Sequence, residues 1–184
     1  MLSDLNYLTN HDHDHIMVEL ANRNIFAEEA FKRAKLGAVI LMTSVGVPLI
    51  WMGEEFGEYK PKQPESSKID WTLLGNDLNR SLFESYKGLT NLRKSNHALY
   101  TENIDFIHEN AEAQVLAYTR WNDQGSRVVV IANFSENFLA GYHVPNFPSP
   151  GTWHEWIGNY DVEAGDDGII TDLGPYEAKV FVWQ

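Results

Sequence analysis

The 184-residue chain carries 43% hydrophobic side chains, enough for one ordinary core or two small ones and far from the composition of a disordered chain. Only 14 Lys and Arg stand against 26 Asp and Glu, for a formal net charge of −12. With no basic field to hold phosphates, nucleic acid and anionic membrane are not expected partners, and an uncharged or cationic substrate fits better. Without any cysteine, disulfides, thiolate nucleophiles and thiolate metal ligands are excluded.

The opening residues place Asp4 and Asn6 where a secretory leader would be basic and then apolar, which points to the cytoplasm. The longest apolar stretch, Leu36 to Met52, is broken by Thr43, Ser44, Gly46 and Pro48 and does not read as a membrane span. Leu5-Asn6-Tyr7-Leu8 reads as a short strand running straight into Thr9-Asn10-His11-Asp12-His13-Asp14-His15, the densest knot of titratable groups in the chain. In barrels and open α/β sheets, buried strands deliver polar side chains only past their carboxyl ends. Function is therefore expected at Asn10 to His15.

Ile16 to Asn24 reads as an irregular or briefly helical loop. Ala27, Ala30, Phe31, Ala34 and Ala38 then recur at helical spacing, with Glu28, Glu29, Lys32, Arg33 and Lys35 on the opposite face. Asn24 is the expected cap, and the early glutamates suit the positive end of the helix dipole. The helix should bury its second half through Thr43 and stop at Gly46. Val47-Pro48-Leu49-Ile50-Trp51-Met52 shows no alternation and fits a strand covered on both faces, with Pro48 tolerable only near its start. Gly53-Glu54-Glu55-Phe56-Gly57-Glu58 closes it in glycine and carboxylates. Strand, helix, strand is the signature of a parallel βαβ unit. Two parallel strands cannot cover themselves, so the stretch is expected to be the C-terminal part of a longer barrel.

Tyr59 to Asp77 is a long polar loop, held open by Pro61, Pro64, Ser66 and Ser67 and pinned by Ile69, Trp71, Leu73 and Leu74, of the kind that rims a functional site. A second amphipathic helix runs from Leu78 to Ser95 with Leu82, Phe83, Tyr86, Leu89 and Leu92 as its stripe and Asn76 or Asp77 as cap. From Ile104 the grammar changes to short β-branched and aromatic runs: Ile104 to Ile107, Val115 to Trp121, Arg127 to Phe134, Phe138 to Val144, Trp153 to Ile157 and Ala178 to Trp183. Asn122-Asp123-Gln124-Gly125, Pro145-Asn146-Phe147-Pro148, Asn159-Tyr160-Asp161 and Asp166-Asp167-Gly168 supply the turns between them. An antiparallel sandwich or small barrel is expected. The boundary falls near residues 96 to 103, dividing an incomplete barrel portion, 1–99, from an all-β domain, 100–184.

Tyr7-Leu8-Thr9-Asn10-His11-Asp12 resembles the fourth short conserved region of glycoside hydrolase family 13, the α-amylase family, where such a triplet ends the seventh barrel strand. Gly46-Val47-Pro48-Leu49-Ile50-Trp51-Met52-Gly53-Glu54-Glu55 looks like the family's eighth-strand region. Ile69-Asp70-Trp71, Asn79 to Phe83, Leu92 to Lys94 and Ala98-Leu99 are similar to the loop and last helix of amylases and branching enzymes. Tyr176 to Val182 looks like the last strand of their C-terminal β domain. The fold class implied is α/β plus all-β: the last two βα units of a (β/α)8 TIM barrel followed by an antiparallel β-sandwich. By the same likeness Asp12 stands for the acid that stabilises the transition state and His11 for a residue binding sugar hydroxyls; Asn10 reads as a supporting group, and Glu54 as one facing the site's mouth in a supporting polar network. The implied substrate is an α-glucan or maltooligosaccharide, with no cofactor. Glycosidic cleavage passes through an oxocarbenium-like state, which a carboxylate opposes as charge develops. The family's nucleophilic Asp and general-acid Glu would lie before Met1 in the missing N-terminal barrel portion, so the 184 residues alone should be inactive. Hydrolysis of α-1,4 links is the first expectation because the triplet opens with Asn; a branching transferase is the second.

Two rival readings stand beside it. His11-Asp12-His13-Asp14-His15 could hold zinc or manganese for a metal-dependent hydrolase, drawing further ligands from His97, His108, His143 or His154. The chain could also be a non-catalytic glycan-binding module, with Trp51 and Trp71, or Trp153, Trp156 and Trp183, as stacking platforms. The plainer readings are a solvated rim loop for His13, Asp14 and His15 and core packing for the tryptophans. Adjacent Glu54 and Glu55 point apart on an extended chain and do not read as an acid/base pair.

Overall fold

A computed structural model describes residues 4–61 and 68–183, which form two compact units, 4–90 and 91–183. Pro64, Ser66 and Ser67 lie outside the described residues.

In the first unit, β1 (Leu5–Asn6) and β2 (Val47–Pro48) pair in parallel, Leu5 opposite Val47 and Asn6 opposite Pro48. Between them come α1 (Ile16–Ala21) and α2 (Ala27–Thr43). Alternating small and branched residues let α2 bury Ala30, Ala34, Ala38, Val39, Leu41 and Met42. Leu8 packs on its backbone, with Cδ1 only 3.0 Å from where a Cβ on Gly37 would stand.

Both expected ends of α2 need correction. Its cap position is Phe26, without a side-chain cap bond, while Asn24 sits outside the helix at φ +61. The other end is made by Ser44, whose backbone turns extended; the Thr43 and Ser44 hydroxyls donate to the Val39 and Ile40 carbonyls at 2.6 Å each. Gly46 serves a different purpose. At φ +109 it lets the chain pass against β1, where a Cβ would meet Asn6 Nδ2 and the Asp4 carbonyl, each at 2.7 Å.

The strand expected over Val47–Met52 pairs only at Val47–Pro48. Val47 and Met52 are 47% and 56% exposed, and Leu5 on β1 is 54% exposed. An apolar run is covered on both faces only when other elements supply the cover, and among the described residues this pair has no third strand.

Helix α3 (Asp77–Ser95) is capped by Asn76, whose Oδ1 accepts the Leu78 N–H at 2.9 Å, and it buries Leu82, Tyr86, Leu89 and Leu92.

The second unit contains β3 (Ile104–Asn110), β4 (Val115–Trp121), β5 (Arg127–Asn133), β6 (Leu139–Val144), β7 (Gly151–Glu155), β8 (Tyr160–Ala164), β9 (Ile169–Leu173) and β10 (Ala178–Trp183). They form a six-stranded antiparallel sheet, β3-β4-β5-β10-β7-β8, and a two-stranded one, β6-β9. Both sheets contribute to one core of Val115, Ala117, Val129, Ile131, Val144, Trp153, Ile169, Leu173 and Phe181. Tyr160 and Asp161, expected in a turn, instead open β8. β9 follows strict alternation, with Ile169, Thr171 and Leu173 buried and Ile170 and Asp172 exposed.

Buried Arg120 fixes the entry to this unit. Its Nε and Nη2 donate to the Asn103 and Thr101 carbonyls at 2.8 and 2.6 Å, while the Thr101 hydroxyl and Asn103 amide reach the Trp121 carbonyl. Burial, with Arg93 nearby, lowers the Arg120 pKa to about 10, which leaves it charged at neutral pH.

Candidate functional site

Parallel pairing sends β1 and β2 out at one edge, so the residues following each strand emerge together. The His11 and Trp51 rings lie 6.2 Å apart there.

Asn10 makes the turn. Its Oδ1 accepts the Asp12 backbone N–H at 2.8 Å, and its carbonyl accepts the His13 N–H at 3.2 Å. The same Oδ1 lies 2.9 Å from His13 Nδ1; a carboxamide oxygen only accepts, so this contact requires the proton on that ring nitrogen. His11 and Asp12 are left outermost, with side chains 73% and 66% exposed and Nε2 3.3 Å from Oδ2.

Glu54 does not join them at the surface. It is fully buried, in a one-turn 3-10 segment, Glu54–Phe56, and accepts hydrogen bonds from the Thr9 hydroxyl and, at 2.8 Å, from the Tyr86 hydroxyl on α3. Burial raises its pKa, opposed by those two hydrogen bonds. Burial first, then the Glu54 charge, raises that of Tyr86 as well, keeping the phenol a donor. Because Thr9 directly precedes Asn10, this network holds the exposed turn from beneath. Glu55 turns back to accept the Gly53 N–H at 2.9 Å.

Sequence reasoning passed over Glu58. Buried, it accepts the N–H groups of Tyr59 at 3.0 Å and Lys60 at 3.2 Å on one oxygen and that of Asp70 at 2.8 Å on the other, tying together residues 59–60 and 70. Gly53 makes room for it, since a Cβ there would stand 2.8 Å from the Glu58 Cβ. Asn79, named above only within the family likeness, donates its amide to the Phe56 carbonyl at 2.7 Å. Thr9 and Tyr86 did carry a signal: one abuts the triplet, and the other is the sole hydroxyl on the apolar stripe of α3.

The remaining imidazoles go elsewhere. His15 is half-buried with Nδ1 unpartnered among the described residues; burial lowers its pKa while Glu58, Asp14 and Glu55 pull it up. His108 meets the Tyr142 hydroxyl, His143 the Asp167 carbonyl and His154 the Asp161 carboxylate. Among the described residues no three His, Asp or Glu side chains converge as an ion would require, which corrects the metal-cluster reading. Trp153 is fully buried between Phe147 and Trp183, at 4.9 and 5.0 Å, so it packs the core and offers no stacking platform. Trp71 is 60% exposed and leans on Phe56.

Residues 106–182 match the family described as alpha amylase, C-terminal all-beta domain. Over 140 residues the chain is 31% identical to the 1,4-alpha-glucan branching enzyme GlgB of Rhodopseudomonas palustris (strain BisA53), an alignment covering 72% of this chain and 19% of that enzyme. Over 151 residues it is 27% identical to neopullulanase 2 of Thermoactinomyces vulgaris, covering 82% and 25%. Its fold is similar to that of the alpha-amylase of Geobacillus thermoleovorans, with a TM-score of 0.77 at 20% identity over 97% of this chain and 38% of that one. The chain spans about a fifth of the length of the curated relatives it matches.

The second unit is thus a C-terminal all-β domain of the α-amylase type. The chain is similar to the C-terminal region of glycoside hydrolase family 13, the α-amylase family.

Proposed function

We propose that this chain serves an α-glucan-active retaining glycosidase, in which residues up to about 99 complete a (β/α)8 barrel as its last two βα units and the all-β domain follows. Asp12 is the carboxylate that opposes positive charge on the sugar ring, His11 binds its hydroxyls, Asn10 sets their turn, and Glu54 supports the turn through Thr9. The observation that carries this is the exposed His11–Asp12 pair, 3.3 Å apart, past the carboxyl ends of two parallel strands and over a buried carboxylate.

The chemistry follows from placement. An exposed carboxylate in water exerts little force, whereas one covered by a sugar ring faces the developing charge at reduced dielectric and accepts hydroxyl hydrogen bonds that tighten in the transition state. A retaining reaction also needs a nucleophile and a general acid about 5 Å apart across the bond; in this reading both come from sequence other than these 184 residues. Hydrolysis of α-1,4 links is the first assignment, resting on Asn10 at the head of the triplet. Transfer to a glucan acceptor is the second, favoured by the branching enzymes among the relatives. The two differ in whether water or a sugar hydroxyl accepts the glucosyl group.

The deciding experiment is Asp12→Asn in the protein that carries this sequence, assayed on soluble starch with the thermal transition followed in parallel. Turnover should fall by about three orders of magnitude or more with the transition unmoved. Turnover near wild type would overturn the assignment of Asp12, and maltooligosaccharide binding without turnover in the unmutated protein would make the chain a binding module instead.

A further inference from the structure

We propose that the all-β unit carries a second sugar-binding subsite, a cleft on β3, β4 and β5 built around Trp121 and suited to one or two units of an α-glucan chain.

Sheet register assembles it. Asp105 pairs with Thr119, and Trp121 pairs with Arg127. Residues directly opposite one another share a face, as do residues two apart on one strand, so Asp105, Thr119, Trp121 and Arg127 all stand on one face. Further along β4 that same face carries Val115 and Ala117 into the core. The face therefore changes along one strand from sheet-covered to open. Where it opens lies a cleft of about 440 Å³, lined by these four residues with Ile107, Asn146 and Pro148 among others, within the roughly 300–1,000 Å³ typical of small-molecule sites.

Its chemistry suits a sugar. A pyranose presents an apolar C–H face, which an aromatic ring covers, and an equatorial fringe of hydroxyls, which planar polar groups grip in pairs. Among the described residues, the Asp105 carboxylate and the Trp121 indole N–H have no protein partner. Arg127 uses only Nη1, toward the Pro148 carbonyl at 3.0 Å and the Ser149 hydroxyl at 3.4 Å, which fixes the cleft wall and leaves its other N–H groups available. Asn146 is held at φ +59, with its amide 3.4 Å from the Ile107 carbonyl. Asp105 and Arg127 put one acid and one base in the same cleft, a poor design for an ionic ligand of either sign but a good one for a neutral polyol. The choice of an α-glucan rests on the function proposed above; the sugar-binding character rests on the cleft alone.

The test uses the protein that carries this sequence, with Trp121→Ala and Asp105→Asn as separate variants, since the second leaves the sheet packing untouched. Adsorption to insoluble starch granules and calorimetric binding of maltoheptaose are measured beside turnover of a short chromogenic maltoside. Both variants should lose granule adsorption and weaken maltoheptaose binding at the second site by about tenfold or more, with short-substrate turnover unchanged. Granule adsorption and maltoheptaose binding at wild-type strength in Asp105→Asn and in folded Trp121→Ala would overturn the subsite. The readouts separate the two proposals: full turnover in Asp12→Asn with sugar binding still sensitive to Trp121 would refute the catalytic assignment and keep the subsite.

Discussion

Val47–Met52 and β5 look alike as sequence and behave oppositely as structure. Each is a short apolar run without alternation, the pattern of a strand covered on both faces. In β5 every residue from Val128 to Asn133 is buried, because β4 and β10 flank it and the second sheet lies over it. In Val47–Met52 only two residues pair among the described residues, and Val47 and Met52 face outward. Absence of alternation thus states that a run tolerates cover on both faces; which neighbours provide the cover is a nonlocal matter. In the proposed barrel, further strands would cover the first unit's run, so the contrast is itself a statement about partners.

The largest expected effect comes from putting a charge into each run. Val130→Asp should cost about 4 kcal/mol or more, because an unpaired carboxylate would be buried in β5. Val47→Asp in the same 184-residue chain should change stability by no more than about 0.5 kcal/mol. Urea unfolding of both variants measures the difference, and equal costs would break the comparison. Repeating Val47→Asp in a protein that supplies the proposed barrel strands sharpens it, since the substitution should then become severely destabilising.

Next in size is Trp153→Ala, expected to cost about 3–5 kcal/mol by emptying the space among Phe147, Phe181 and Trp183. Thermal denaturation reads it. A cost below about 1 kcal/mol would mean that the two sheets do not share this core.

A smaller effect distinguishes the buried carboxylate of the first unit by its pH dependence. Burial holds the Glu54 pKa above its ordinary 4.5, so the folded protein binds this proton more tightly than the unfolded chain. Its contribution is complete below pH 4.5 and is lost as pH rises through the folded value. Glu54→Gln should flatten the stability profile in that window and make the variant relatively more stable toward neutral pH. Chemical denaturation across pH 4 to 8 tests this, and an unchanged slope would assign the titration elsewhere.

Asn10→Ala closes the series at about 0.5–1.5 kcal/mol, the worth of the bonds its carboxamide makes to the Asp12 N–H and the His13 ring. Its effect on turnover should exceed its effect on the melting transition, since the turn positions His11 and Asp12. The reverse ranking would make Asn10 a structural residue only.

Much of this was legible beforehand, for identifiable reasons. The second helix is legible from its stripe, because 3.6-residue periodicity is local, while its cap, open between Asn76 and Asp77 in the sequence, is Asn76 in the structure. β4 and β10 were read from residue type alone. β9 alternates strictly, but its five residues follow directly on the Asp166-Asp167-Gly168 turn, and its pairing with distant β6 is what makes it a strand. The residue type of Asn24 fits a cap, yet the chain turns there at positive φ, a conformation Asn also tolerates. Glu54 was singled out, but its neighbour Thr9 and its distant partner Tyr86, 32 positions along the chain, could be joined only by the fold.

By itself the sequence determined the two-part grammar, the place where polar groups gather after the first strand, and the family likeness that gives those groups a chemistry. These depend on periodicity, residue type and order, all properties of neighbours along the chain. The tertiary structure decided which apolar run is covered, that Glu54 lies beneath the turn while His11 and Asp12 face outward, and that Trp121 borders an open cleft while Trp153 is sealed in the core. Those outcomes depend on register and on packing between distant segments, and an indole or a carboxylate carries no local mark of the side on which its partners will arrive.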